Sequence, residues 1–263
     1  MLFFGAPRSS RRRTPTPPTP PTPPTPPTPP APPAPSLPST LGSKLIIDLD
    51  ADIVTLGVAP RISAWPDQSP RGNAVSMGTL ANQPMFTPNA LDGHAAVTHV
   101  SESVQRLTGP MVGIALGDKP YAYAVANFAV LDQANTIFST NSGRFRLWTT
   151  VGPNLVKASY SLTGGAVDAS AQRTTGPKLY HCRINEANRP ELWINGVLAA
   201  TASSGTGGLA AAVTSFSVGA NLTQYPMSGD VYRVMIVNPA PTSDEHAALM
   251  AYFKATYPTL ALP

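Results

Sequence analysis

From Lys44 onward the apolar residues come in short runs broken by Gly, Pro, Asn, Asp and Ser, the texture of strands and turns and not of long helices. Leu45-Ile46-Ile47 opens the series. Tyr121 to Val130 is apolar at odd and even positions alike, which predicts a strand buried on both faces at the centre of a sandwich. Glu191 to Ala199 reads as a hairpin turning on Asn195-Gly196 in a type I′ turn, and Val231 to Val237 as a further strand. Many short strands at fairly regular spacing favour an all-β sandwich or barrel over alternating β and α units. One segment departs from this. Thr242-Ser243-Asp244-Glu245 has the spacing of a capping box, Leu249, Tyr252 and Phe253 share a helical face, and Pro258 stops the run. A single C-terminal helix packed across the sandwich is expected.

Before Lys44 the pattern is different. Of 31 prolines, 16 fall between Pro7 and Pro38, and proline supplies no N–H to a helix or an interior strand. Three segments follow: an apolar and basic peptide over 1–13, a linker over 14–42, and a folded domain over 43–263. Five Thr-Pro-Pro triplets run from Thr16 to Pro30. Polyproline II has three residues per turn, so every threonine of the repeat lies on one ridge. At roughly 3.1 Å per residue, Thr14 to Pro35 would span on the order of 70 Å. Such a rod serves as a spacer or as a segment that docks in a groove of another protein.

Charge follows the same division. Arg8, Arg11, Arg12, Arg13 and Lys44 precede the first acid, Asp48; removing those five from 18 bases leaves 13 against 14 acids. The basic balance belongs to the arm, and the nearly neutral domain argues against nucleic-acid binding. Cys182 is the lone cysteine, which excludes a disulfide framework and a cysteine-based zinc site. Leu2, Phe3 and Phe4 form an apolar tip too short for a signal-peptide core, and no window is long and apolar enough to span a membrane. No secretory signal is expected to direct this chain.

Four stretches in order resemble the concanavalin A-like, laminin-G-type jelly roll found in bacterial and bacteriophage proteins. They are Trp65-Pro66-Asp67-Gln68-Ser69 with Gly72-Asn73, then Gln83-Pro84 with Leu91-Asp92-Gly93-His94-Ala95-Ala96-Val97. Leu192-Trp193-Ile194-Asn195-Gly196 follows, and Gly229-Asp230-Val231-Tyr232-Arg233-Val234 to Asn238 closes with the capped helix. The resemblance covers about 200 residues of the sequence. His99 stands where the family usually has an aromatic and Arg233 where it often has glutamate, so a ligand site does not carry over.

Some relatives of that architecture hydrolyse glycosides, which takes two carboxylates flanking the scissile bond. Glu102, Glu186 and Glu191 have no such spacing, and Glu186 and Glu191 bracket a turn, so no enzymatic activity is expected. Asp48-Leu49-Asp50-Ala51-Asp52 lacks the glycine and glutamate of a calcium loop and reads as solvated carboxylates at a strand end. No metal or cofactor is expected. His181 and Cys182 point to opposite faces of a strand and form no pair, which leaves Cys182 an inert core thiol. In Arg144-Phe145-Arg146-Leu147-Trp148 the alternation sends Phe145 and Leu147 inward and sets Arg144, Arg146 and Trp148 outward as a candidate glycan strip. An indole stacks on sugar rings and guanidinium groups clamp carboxylates or phosphates.

Together these features predict a non-catalytic module of a virion, such as a bacteriophage head fibre, decoration or tail protein. Leu2, Phe3, Phe4, Arg11, Arg12 and Arg13 would anchor the arm to other virion proteins, and the head would meet a glycan or host surface. A homo-oligomer is expected. A cement or spike protein without ligand and a bacterial surface carbohydrate-binding protein are the alternatives.

Overall fold

The computed structural model describes residues 36–221 and 224–263. The anchor peptide over 1–13, and the linker over 14–42 as far as residue 35, lie outside the described residues. In chain order the strands are β1 (Leu45–Asp50), β2 (Thr55–Leu56), β3 (Ile62–Trp65), β4 (Val75–Ser76), β5 (Met85–Leu91) and β6 (His94–His99). They continue with β7 (Leu107–Pro110), β8 (Tyr121–Phe128), β9 (Thr136–Thr140), β10 (Phe145–Thr149), β11 (Leu155–Leu162) and β12 (Gly165–Gln172). The last are β13 (Lys178–Ile184), β14 (Pro190–Ile194), β15 (Val197–Thr201), β16 (Ser215–Val218) and β17 (Gly229–Val237), followed by helix α1 (Ser243–Thr256).

The strands form two antiparallel sheets, the all-β sandwich that the sequence predicts. The eight-stranded sheet runs β15-β14-β13-β8-β17-β6-β5, with β1 also on β17. The nine-stranded sheet runs β12-β11-β10-β9-β16-β7-β4-β3-β2. β17 pairs with β8 along one edge, with a register shift between Val231 and Arg233, and its other edge serves two partners, β6 at Gly229 to Val231 and β1 from Arg233 onward.

Alternation within strands builds two cores. Across six strands of the nine-stranded sheet, Ala169, Ala158, Leu147, Phe138, Val218 and Leu107 pair neighbour to neighbour and face the sandwich interior. The eight-stranded sheet is covered on its other face as well. Tyr123 and Val125 on β8, Leu179 on β13 and Met235 on β17 pack against Leu249, Phe253 and Tyr257. Ala122, Ala124 and Ala126 meanwhile face the sandwich. Tyr121–Phe128 is apolar on both sides for this reason. The capping box fixes where α1 starts: Thr242 Oγ1 accepts from Glu245 N at 3.2 Å, and Glu245 Oε2 accepts from Thr242 N at 2.7 Å. Leu41, in the 3₁₀ turn Ser39–Lys44, is only 2% exposed, so the folded head begins a few residues ahead of Ser43.

The motif Trp65…Asn73 proves to hold the fold. Asp67 accepts from the backbone N–H of Asp48, Ser69 and Asn73 at 2.6 to 2.9 Å, and Ser69 and Asn73 donate to the carbonyl of Ile46. Trp65 Nε1 donates to the carbonyl of Asp50. These bonds tie β1 to the segment from Trp65 to Asn73 and engage the polar groups of Trp65, Asp67, Ser69 and Asn73.

The reading of Asp48 and Asp50 as solvated carboxylates is corrected. Asp48 is 1% exposed and takes Nε and Nη2 of Arg233 at 2.9 and 2.8 Å, while Asp50 takes Nη1 at 2.7 Å. Tyr252 of α1 is a further partner of Nη1. Register across β1 and β17 sets Asp50 opposite Arg233, which is why arginine stands there. Among the described residues no three metal-ligating side chains gather, and no helix is long and apolar enough to cross a membrane.

Candidate functional site

The inward row of the nine-stranded sheet alternates with an outward one. Asp168, Ser159, Arg146, Ser139, Ser217, Thr108 and Ser76 pair in register across seven strands. Paired residues share a face, so this row is the floor of the outer surface. Five of its seven members are serine or threonine. Side chains that short leave an open trough of about 280 Å³ over β9, β16 and β7, lined by Arg106, Thr108, Ser139, Asn141, Ser215 and Ser217. The floor hydroxyls are oriented from below: Ser217 donates to the carbonyl of Ala220 at 2.8 Å and Ser139 to Asn221 Oδ1 at 3.0 Å. Ser139 and Ser217 are themselves nearly buried, and Thr108, Asn141 and Ser215 are half-buried polar residues of the lining.

Beside the trough, β10 has the predicted alternation, with Phe145 and Leu147 buried and Arg146 and Trp148 half-buried on the outside. Trp148 Nε1 donates to Ser159 Oγ at 2.7 Å, and Ser159 Oγ donates on to Asp168 at 2.5 Å. Lys157 pairs with Asp168 at 3.1 Å. This chain locks the indole in one orientation. The Arg146 guanidinium lies 4.1 Å from the indole centroid, and the Tyr225 ring lies 5.4 Å away. A cation occupies the ring face. Bare-ring stacking on a sugar therefore gives way to an indole-supported guanidinium set beside the hydroxyl floor. Burial lowers the Arg146 pKa from its ordinary value, and its buried Nε has no hydrogen-bond partner among the described residues.

Arg144 does not join this strip. It closes the 3₁₀ turn Asn141–Gly143 in an α conformation, one residue before β10, so strand alternation does not reach it. Its carbonyl accepts from Ser161 N at 2.7 Å. Sequence reasoning missed Lys157, Ser159 and Asp168, whose alternation on β11 and β12 is legible but whose register with β10 is not. It also missed Tyr225, which reaches the site from a loop.

The carboxylates considered for hydrolysis lie in different settings. Glu102 is exposed in the turn after β6, and Glu186 is exposed in the turn between β13 and β14. Burial works against the Glu191 charge, but hydrogen bonds from Asn185, Arg183 and Trp193 outweigh it and hold its pKa below the ordinary value. A carboxyl so engaged has no proton to give. Cys182 lies in the sandwich core, where burial pushes its pKa up to about 12, and His181 faces α1 on the opposite side of β13.

No family model and no curated protein matches the chain. Among solved structures, the binding domain of botulinum neurotoxin DC in complex with rat synaptotagmin II superposes with a TM-score of 0.57 at 10% identity, covering 81% of this chain and 52% of that one. Botulinum neurotoxin type C, whose cell entry depends on two ganglioside molecules, gives 0.57 at 8% identity, covering 83% and 53%. The CBM40 module of Ruminococcus gnavus IT-sialidase bound to α2,3-sialyllactose gives 0.40 at 17% identity, covering 51% and 83%. The chain spans about half the length of the neurotoxin domains. At these identities the likeness is one of fold alone, a two-sheet β-sandwich.

Proposed function

We propose that this chain is a non-catalytic binding protein whose head takes a glycan on the outer face of the nine-stranded sheet. The observation that carries the reading is the row from Asp168 to Ser76, with an indole-supported guanidinium beside a floor of short hydroxyls. A sugar offers hydroxyls to such a floor and, where acidic, a carboxylate to Arg146, Lys157 or Arg106. The fold shared with botulinum neurotoxin type C, whose cell entry depends on ganglioside molecules, supports the choice of ligand class. The test is a glycan array followed by calorimetry on the best ligand. Replacing Trp148 by Ala or Arg146 by Gln is expected to weaken binding about tenfold, near 1.4 kcal/mol, without lowering the melting temperature by more than a few degrees. Absence of binding to any glycan, or indifference to both substitutions, overturns the reading.

The arm extends this proposal to a virion. Burying Leu2, Phe3 and Phe4 in a partner would contribute roughly 5 to 8 kcal/mol before ordering costs. Repetition of the chain on a symmetric particle would strengthen that through effective concentration. The expected result is that a chain lacking residues 1–13 fails to incorporate into the particle. Equal incorporation would rule the anchor out.

A further inference from the structure

A second cleft lies on the opposite side of the molecule, where β8 and β13 meet the start of α1. Two adjoining cavities of about 490 and 370 Å³ share Tyr121, Arg183, Asn185 and Glu186, and the larger also takes in Lys119 and His246. Neither belongs to the sheet face described above. The cleft's central cation is held in place. Arg183 Nε donates to Glu191 at 2.6 Å, and Glu191 is fixed in turn by Asn185 Nδ2 at 2.8 Å and Trp193 Nε1 at 3.1 Å. The guanidinium lies 5.2 Å from the Trp193 ring and 5.8 Å from that of Tyr121. Glu191 is buried and is not part of the cleft wall, so a ligand meets the guanidinium and not its counter-ion. His246 Nδ1 pairs with the Tyr123 hydroxyl at 2.8 Å, which leaves Nε2 as the nitrogen a ligand can meet.

We propose that this cleft binds a small hydroxylated carboxylate of the uronic-acid class. One wall offers an oriented guanidinium, an ammonium and an imidazole, and Tyr121 supplies a flat ring against which a sugar can lie. The exposed carboxylate of Glu186 stands in the same cleft. It repels a compact polyanion such as phosphate but accepts hydroxyl hydrogens. The arrangement suits a molecule with one negative charge and several hydroxyls.

Glucuronate and glucose make a matched pair of probes, because they differ only in the carboxylate at C6. Titrated into the full-length chain and followed by amide NMR shifts, glucuronate is expected to perturb Tyr121, Arg183 and His246 and to bind roughly tenfold tighter than glucose. Trp148→Ala leaves this binding intact, which separates it from the glycan face. Lys119→Gln and His246→Gln weaken it. Arg183→Lys weakens it further, while keeping a cation beside Glu191 and hence the fold, as checked by an unchanged melt. Equal affinity for the two sugars, equal affinity for acetate and glucuronate, or shifts confined to other regions would each overturn the assignment.

Discussion

Arg233 offers the sharpest energetic test, because its side chain is 5% exposed and its partner Asp48 only 1%. Burial alone pushes the Asp48 carboxyl up, and the Arg233 fork pulls against that push. Burial also works against the Arg233 charge, but Asp48 and Asp50 outweigh it and raise its pKa. Replacing Arg233 by Met fills most of the volume and removes three hydrogen bonds to carboxylates. Breaking a buried pair from one side costs about 3 to 5 kcal/mol, a large part of the roughly 5 to 15 kcal/mol that holds a domain. The loss should depend on pH in a defined sense. Without its cation, Asp48 is raised further above the unfolded value of about 3.9, so the folded variant holds a proton that the unfolded chain releases. Acid therefore favours the folded variant, and each pH unit below the raised pKa returns about 1.4 kcal/mol of the deficit. Urea unfolding of both proteins at about pH 7.5 and about pH 5 should show the difference between them shrinking toward the lower pH. Adding Asp48→Asn to the variant should recover stability at neutral pH and abolish the pH dependence. A deficit that stays constant with pH, or a double variant worse than the sum of the singles, would refute the reasoning.

Two further outcomes follow. His181 is 2% exposed with Nε2 unpartnered among the described residues, and burial, reinforced by His246 and Arg183, lowers its pKa well below the usual value. The unfolded chain then takes up the proton near pH 6.5 and the folded one does not, so stability present above that pH is lost on acidification, by about 2 kcal/mol at about pH 5. His181→Phe keeps a ring stacked on Tyr123 and should flatten the acid limb of the melting curve; an unchanged limb counts against it. Removing residues 1–33 should leave the melt unchanged, whereas removal through residue 42 also deletes buried Leu41 and should cost about 1.5 to 3 kcal/mol by chemical denaturation. Equal stability of the two truncations would show that the head begins after Leu41.

What was legible in the sequence was local. Asn195 and Gly196 both adopt positive φ, as a type I′ turn demands, and nothing distant is needed to read that pair. Thr242 and Glu245 cap α1 through contacts three residues apart, and Phe145 and Leu147 turn inward because neighbours on a strand must alternate. What was hidden depended on register. Arg146 lies beside Ser139 and Ser159 only because β9, β10 and β11 pair as they do, and a shift of one residue would have turned the row inward. Arg144 obeys the alternation on paper yet falls in a turn, since a period of two says nothing about where a strand begins. The Asp48–Arg233 pair spans 185 positions, so aspartates that look solvated in a local reading become the buried counter-ions of a distant strand.

The same logic separates recognisable residues from binding ones. Trp65, Asp67, Ser69 and Asn73 form the most recognisable motif in the chain, and their polar groups are engaged within the motif and with the backbone of β1 and of Val112. A residue bound to its own fold in this way has no bond to give a ligand. The side chains proposed to meet a ligand are Arg146, half-buried against the indole of Trp148, and Arg183, partly exposed, held by Glu191 at Nε and lining a cleft. Neither lies in a motif, because each acquires its setting from strands that meet only in three dimensions. For a sandwich of this kind, ligand specificity should therefore vary between chains whose motifs are identical, and exchanging residues at the outward row should change what is bound while the melting temperature stays within a few degrees.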